Sequence, residues 1–409
     1  MQADLDRLMA EQKLDQLVIF GPDGLGSVNA AFNYFVGGRH IVGMVIKSRD
    51  QKPKLIHGVM ERDDAAKTGL DLIENTRWNI KEIQQRITDP FAARIELHRQ
   101  MFVDLGVTGR VGFYGIADFG STTALLQKLA PQVPGLIICA EGYRDVIQQA
   151  RETKDTHELD LMADAGRATC AVVAATQAFL QSHSVHEETL QKSDGSPLTI
   201  RDVKRHIRRL LIDHDLEHPG DIIFAQGRDA GVPHNHGNPD VAVCLGRSLI
   251  FDIFPRRPGG YFHDMTRTWC LGYAPPKVQQ AYDDVFACFH KVVAEMRVGQ
   301  RTFQLQQITC DVFESQGHST LRQDPTRHSG YIHSLGHGLG LDVHELPSCP
   351  TFSDPGQELA RGTVITVEPG LYYPDDGFGI RIEDTYIVDH AGNVKSLTPF
   401  SQALVVPMG

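Results

Sequence analysis

The sequence predicts two domains, an α/β domain followed by a larger α+β domain, and three observations carry that prediction. The chain has 409 residues, 41% of them hydrophobic, which is too long for one ordinary core and gives ample material to bury in two. Its first third alternates helical and strand patterns, as an α/β domain does. From Asp221 onward the pattern changes to short apolar runs separated by Gly and Pro, which read as strands of a largely antiparallel sheet. We place the domains at residues 1–154 and 155–409.

In the first domain, Leu5, Leu8 and Met9 give a short amphipathic helix, and QLVIF, from Gln16 to Phe20, reads as a buried strand. VGMVIK and KLIHGVM are further strand candidates. Gly21, Gly24 and Gly26 in the string GPDGLG suggest a nucleotide-binding loop, but the spacing is not GxGxxG and SVNAAFNYF is a poor start for a phosphate-facing helix. A glycine-rich turn is the better account.

The boundary is marked by a helix start. Asp155 followed by Glu158 fits a capping box, and Leu159, Met162, Gly166, Thr169, Val173, Thr176 and Leu180 then recur at spacings of three and four. A second helix is expected from Thr199, capped over Asp202 and running through Val203, Ile207, Leu210 and Leu211. Its other face carries Arg201, Lys204, Arg205, Arg208 and Arg209, read as a solvated surface. Strands are expected at AVCLGRSLIFDIF, MTRTWCLG, TVITVEPGLYY and GIRIEDTYIV. Between them lies a helix from about Pro276 to Met296, with Val278, Tyr282, Val285, Phe286, Phe289 and Val293 on one face, and a shorter one from Thr302 to Glu314.

Charge and composition exclude several functions. A net charge of −11 argues against nucleic acid or an anionic membrane as the main partner, since both need a basic footprint. No apolar stretch approaches the length of a membrane span and MQADLDRLMAEQ does not read as a signal peptide, so a cytoplasmic location is expected. The seven cysteines are scattered without a CxxC pair and read as reduced thiols in packing positions.

The chemistry lies in the second half. Asp252, Asp264, His337, Glu368 and Glu383 together read as a two-metal hydrolase site, because four carboxylates cannot share a pocket ionised without a strong positive charge between them. Strand alternation puts Val364, Thr366 and Glu368 on one face and Arg381 with Glu383 on another, so two acids can face one pocket from neighbouring strands. The link 369–379, rich in Pro, Gly and Asp, is expected to be a loop. Asp264, Thr266 and Thr268 share a side, and Asp252 ends the run SLIFD, where a buried acid needs a partner. His333, His337 and His344 fall in IHSLGHGLGLDVHE. Gly336, Gly338 and Gly340 oppose a helix there, so a close-packed irregular backbone is expected.

These strings, FDIF, HDMTRT, HSLGHGLGLDVHE, VEPGLYY and GIRIED, resemble the pita-bread-fold metallopeptidases over residues 220–388, and QLVIF followed by NYFVGG resembles the creatinase-type N-terminal domain of the prolidase (Xaa-Pro dipeptidase) and aminopeptidase P branch. The resemblance implies a C-terminal pita-bread catalytic domain preceded by a smaller α/β domain. It makes Asp252 a ligand of one metal, Asp264 and Glu383 bridges, and His337 and Glu368 ligands of the second. Four carboxylates and one imidazole form a hard set that favours manganese, iron or cobalt over a structural zinc. The family puts manganese first, with iron, cobalt and zinc as alternatives.

The activity implied is hydrolysis of the bond between an N-terminal residue and proline by a hydroxide held between two metals, with Glu368 or Glu383 moving the proton to the leaving nitrogen. His234 matches the family histidine on the leaving-group side, with His236 a competitor for that role. His344 matches the one that contacts the substrate carbonyl, and His333 the substrate-side histidine. Arg381 would orient a ligand or bind a substrate carboxylate, and Tyr372 would lie beside the metals facing substrate. The partner implied is a small peptide with proline in second position, bound by a homodimer. Asp252 and Asp264 stand twelve apart, one more than the family's usual eleven, which puts Pro255 and Arg256 near the site mouth. That departure supports an alternative reading, a lyase or amidohydrolase acting on a non-peptide molecule with the same metals. A catalytically silent binding module would have lost ligands, and all five are present.

Overall fold

The computed structural model describes residues 1–22, 29–116, 118–142, 144–352 and 356–409. It divides into two compact units, Met1–Arg151 and Glu152–Gly409. Gly24 and Gly26 of the glycine-rich string lie outside the described residues.

The first unit is built on a six-stranded sheet of β1 (Gln16–Phe20), β2 (Gly43–Ser48), β3 (Lys54–His57), β4 (Asp71–Glu74), β5 (Gly109–Tyr114) and β6 (Leu136–Cys139), in the order β4-β3-β2-β1-β5-β6. The pairs β1–β2 and β2–β3 are antiparallel, whereas β1–β5, β5–β6 and β3–β4 are parallel, the mixture an α/β unit with an added hairpin gives. Helix α1 (Leu5–Glu11) precedes the sheet, α2 (Ala30–Val36), α3 (Arg62–Ala66), α4 (Ile80–Arg86), α5 (Pro90–Asp104) and α6 (Phe119–Leu129) connect the strands, and α7 (Val146–Arg151) follows them. Leu5, Leu8 and Met9 are buried as α1's periodicity requires. KLIHGVM is a strand only to His57, and Val59–Glu61 turns into a short 3-10 helix. The core holds Val18, Ile46, Ile56, Phe102, Val111 and Leu129.

The second unit opens with α8 (Thr156–Gln181), whose Asp155 side chain accepts from the Glu158 backbone N–H while Glu158 accepts from that of Asp155. Such reciprocal capping contributes about 1 kcal/mol to the helix. Leu159, Met162, Gly166, Thr169, Val173, Thr176 and Leu180 form its buried face. A hairpin of β7 (Ser184–His186) and β8 (Thr189–Gln191) leads to α9 (Ile200–Asp213), which starts on a second capping box of Thr199 and Asp202. The basic face of α9 differs from expectation at Lys204. Its stem is buried and its ammonium lies 2.9 Å from Asp221, so this lysine belongs to the packed side while Arg201 and Arg208 stay exposed.

A four-stranded sheet follows, β19-β11-β10-β9, made from β9 (Ile223–Gln226), β10 (Ser248–Ile253), β11 (Met265–Leu271) and the C-terminal β19 (Val405–Val406). Of the run AVCLGRSLIFDIF only the part from Ser248 is strand, because Gly246 at φ +64 turns the chain first. Helices α10 (Pro276–Glu295) and α11 (Thr302–Ser315) cover the other half of the core. Phe286 is not on α10's buried face: it is 40% exposed beside His290, and Val292 is buried.

A five-stranded sheet, β13-β12-β14-β17-β18, and a two-stranded one complete the unit, from β12 (His337–Gly338), β13 (Glu345–Ser348), β14 (Val364–Val367), β15 (Gly370–Tyr373), β16 (Phe378–Arg381), β17 (Asp384–Val388) and β18 (Val394–Ser396). Here the strand reading is corrected. TVITVEPGLYY and GIRIEDTYIV each form two strands, with β14 pairing β17 and β15 pairing β16, so half of the expected loop 369–379 is sheet. Pro369 lacks the N–H that would continue the β14 ladder, and the run bends there. Glu368 and Glu383 therefore sit at elbows where one run of chain passes between two sheets. All seven cysteines are free. Among the described residues no helix is long and apolar enough to cross a membrane.

Candidate metal centre

The two elbows meet the β10–β11 hairpin. Asp252, the penultimate residue of β10, is the cross-strand partner of Thr266, and Thr266 in turn bridges Glu383 through the bonds Glu383 N–H to Thr266 O, 3.1 Å, and Thr266 N–H to Glu383 O, 3.4 Å. Asp264 directly precedes β11, and the Thr385 hydroxyl donates to its backbone oxygen at 2.7 Å. Glu368 is held by its own N–H on Leu335 O, 2.7 Å. His337 arrives on β12, where the backbone runs close: a Cβ on Gly336 would lie 2.1 Å from Thr366 O, and one on Gly338 2.1 Å from Leu346 O. Glycine is required at both, and the irregular, close-packed backbone expected around the histidines is present.

All four carboxylates are buried. Ligand atoms of Asp264, His337 and Glu383 lie within 4.8 Å of one another. His337 Nε2 is 3.7 Å from Asp264 Oδ2 and 3.5 Å from Glu368 Oε1. Its Nδ1 lies 3.0 Å from Gly338 O, a bond that needs a proton on Nδ1 and leaves the Nε2 lone pair facing the carboxylates. Burial pushes the His337 imidazole down to about 4 and that of His333 to about 3, so both are neutral near pH 7. Burial pushes the carboxyls of Asp264, Glu368 and Glu383 well above their ordinary range, reinforced by the negative charges facing them. Oδ1 of Asp252, Oδ1 of Asp264 and Oε1 of Glu383 are buried without a hydrogen-bond partner. Orphaned carboxylate oxygens beside a lone-pair imidazole are a donor set for hard divalent cations, so the residues present fit the two metals.

One buried cation lies among them. Arg381, 1% exposed, donates from Nη2 to Asp252 Oδ2, from Nη1 to the Tyr372 hydroxyl at 2.9 Å and Pro233 O at 3.3 Å, and from Nε to Thr266 Oγ1 at 3.1 Å. The Thr266 hydroxyl in turn donates a hydrogen bond to Glu383 Oε2 at 2.7 Å. Tyr372 is corrected from its expected place facing substrate: it is fully buried behind Arg381 and does not line the cavity. Arg256 and Pro255 are also corrected. Both are buried and neither lines the cavity; Arg256 pairs with Glu217 at 2.8 Å and stacks over Phe262.

The carboxylates open into a cavity of about 450 Å³. His234 and His333 face each other across it, Nε2 to Nε2 3.3 Å, and His333 Nδ1 lies 3.5 Å from Glu368 Oε2. His344 stacks edge-on against His337 with ring centres 4.4 Å apart. His236 also lines the cavity, half-exposed, with Nδ1 3.8 Å from Asp221. The structure thus gathers every expected side chain except Tyr372 at the wall. It adds Ile223, Phe254 and Val343, an apolar flank that sequence reasoning missed. Ile223 is the cross-strand partner of Asp252, a relation that no one-dimensional pattern displays.

Comparison with known proteins agrees with this geometry. Residues 160–390 match the sequence model of metallopeptidase family M24. The chain is 29% identical to the Xaa-Pro dipeptidase of Pyrococcus furiosus, over 64% of this chain and 67% of the relative. It is 30% identical to that of Pyrococcus horikoshii, over 64% and 66%, so the match spans about two thirds of these relatives' length. In fold it is similar to the Xaa-Pro dipeptidase from Bacillus anthracis, at TM-score 0.74 and 20% identity over 99% of both chains. It is likewise similar to the X-Pro aminopeptidase from Thermotoga maritima, at TM-score 0.72 and 20% identity over 99% of both.

Proposed function

We propose, from the premise that the chain belongs to metallopeptidase family M24, that residues 152–409 form a catalytic domain that removes an N-terminal residue preceding proline from small peptides. The observation that carries the reading is the convergence of three orphaned carboxylate oxygens, on Asp252, Asp264 and Glu383, toward His337 and Glu368 at the floor of one cavity. Asp252 would serve one metal, His337 and Glu368 the other, and Asp264 and Glu383 both. Two divalent ions bound there would polarise the scissile carbonyl and activate water at neutral pH. The hard donor set supports manganese.

The protein groups then have separate tasks. Arg381 fixes Asp252 and, through Thr266, Glu383. Because its donors are committed to Asp252, Tyr372, Thr266 and Pro233, orientation of a ligand is supported over capture of a substrate carboxylate. Glu368, whose carboxyl burial holds above its ordinary range, can carry a proton toward the leaving nitrogen. His234 and His333, both held neutral by burial, can donate hydrogen bonds on the leaving-group side. His344 can do the same toward the carbonyl from the opposite wall. Ile223, Phe254 and Val343 offer an apolar surface for a proline ring. A homodimer and a cytoplasmic location complete the reading.

The test is hydrolysis of Ala-Pro, Ala-Pro-Ala and Ala-Ala by protein stripped of metal and given manganese. Manganese-dependent cleavage confined to Ala-Pro assigns a dipeptidase, and preference for Ala-Pro-Ala an aminopeptidase. Two bound metals with no cleavage of any peptide would refute the peptide reading and favour a non-peptide substrate, for which the longer Asp252 to Asp264 hairpin provides room to differ.

A further inference from the structure

Outside the metal cluster lies a deeply buried opposite-charge pair that ties together the segments carrying the machinery. Lys154 Nζ lies 3.2 Å from Glu345 Oε2, with the two side chains 2% and 5% exposed. Two long charged side chains do not leave water at that depth without a structural consequence. The consequence here is a clamp. At one end, the Lys154 backbone is stapled to the segment entering β14: its N–H donates to Gly362 O at 2.8 Å, and Thr153 bridges Thr363. Gly362 has φ +86, and a Cβ there would lie 2.5 Å from Lys154 O, so the two segments touch backbone to backbone. β14 leads directly into Glu368.

At the other end, the Glu345 carboxylate is the centre of the turn that follows His337. Its Oε1 accepts from the Asp342 N–H at 2.9 Å, and a Cβ on Gly340 would meet both carboxylate oxygens at 2.5 and 2.6 Å. The turn is folded around this group. Glu345 pairs with Gly338 across β12 and β13, the residue next to His337. His344, its immediate neighbour, points the other way into the cavity together with Val343.

We propose that the buried Lys154–Glu345 ion pair positions the cavity-wall His344, and the turn that carries it, relative to Glu368. Neither residue touches the cavity, so both are positioning residues. The proposal rests on the peptidase reading for its effect on turnover. Lys154→Met removes the cation and leaves a buried carboxylate to drag the turn toward water. The double variant Lys154→Met/Glu345→Gln removes both charges and leaves an acceptor for the Asp342 N–H.

The 409-residue protein is loaded with manganese and assayed on whichever of Ala-Pro and Ala-Pro-Ala the wild type cleaves. The ¹⁵N imidazole spectrum is recorded at fixed pH on protein loaded with diamagnetic zinc in place of manganese, with the His344 signal assigned by its loss in His344→Gln. For both variants, at a temperature where circular dichroism shows them folded, the expected result is a fall in kcat of about tenfold or more. KM should change by less than about threefold, manganese content should stay at the wild-type level, and the His344 resonance should move. Wild-type kcat and an unmoved His344 resonance in the folded double variant would overturn the proposal. So would a loss of activity that only tracks the unfolded fraction. If wild type cleaves no peptide, the peptidase reading fails on its own, and the His344 resonance alone decides the positioning.

Discussion

Replacing Glu383 by Gln should make the metal-free protein more stable while depriving it of metal. Glu383 and Asp264 present ligand atoms within 4.8 Å of each other in a buried site. Two unit charges at that distance repel by about 3.5 kcal/mol at an effective dielectric of about 20. Glutamine removes this repulsion. It can keep its oxygen toward the Thr266 hydroxyl, 2.7 Å away in wild type, and turn its amide toward the orphaned oxygens of its neighbours. Against this stands the lost attraction of Arg381 for Glu383, which brings the net gain to about 1–3 kcal/mol. At about 2–4 °C per kcal/mol for a unit of this size, the melting temperature should rise by several degrees. With metal the order reverses. A cation at a thousand times its Kd stabilises wild type by about 4 kcal/mol, and the variant, short of one ligand, should gain far less. The assay is calorimetric melting of chelator-dialysed protein, then with manganese, alongside turnover. A metal-free Glu383→Gln protein that melts below metal-free wild type would refute the reasoning, because the carboxylates would then not be repelling one another.

Further outcomes follow from the same geometry. Asp264→Ala should lose measurable bound metal and more than about 100-fold of the activity, beyond what a residue that only supports a ligand costs; near-normal turnover would sink the two-metal mechanism. Arg381→Met should strand Asp252 as a buried charge and destabilise the metal-free protein by about 3–5 kcal/mol, read as a drop in the urea midpoint that added manganese partly restores. In the first unit, the bidentate hydrogen bonds from Arg99 lower the Glu96 carboxyl to about 2 from an ordinary 4.5. A depressed carboxyl contributes stability above its unfolded value and loses it as pH falls through the folded one. The difference between wild type and Glu96→Gln, about 1 kcal/mol after solvent screening, should therefore hold at pH 6 and shrink to nothing between pH 4.5 and 2. Urea titrations across that range check it, and a difference that widens in acid would contradict the sign.

Much of this was legible along the chain. The capping boxes at Asp155 and Thr199 were readable because they depend on residues three apart, and the five acidic and histidine residues that meet at one cavity because each sits in a short recognisable string. What escaped depends on pairing. The switch of sheets at Pro369 and Ile382 follows from which strand each half meets, and local alternation cannot reveal it. Lys204 read as a surface residue because lysine usually is, and nothing local marked Lys154 as buried; the acids they pair with lie elsewhere, 191 positions away in the case of Glu345. Tyr372 was placed beside the metals by its string, yet only the three-dimensional packing puts Arg381 in between.

The elbows at Glu368 and Glu383 also bear on how long the protein survives. Because they join the five-stranded and two-stranded sheets to the β10–β11 hairpin, the candidate ligands come from both banks of a seam, and a cation bound between them would act as a rivet. Remove it and the seam keeps four buried carboxyls, of which burial and mutual repulsion push those of Asp264, Glu368 and Glu383 well above their ordinary range, so the first fluctuation to open should part those sheets and expose β14 and β17 to proteases. Scarcity of the metal would then lower the amount of protein in the cell as well as its rate, tying turnover of the chain to the supply of its own ion.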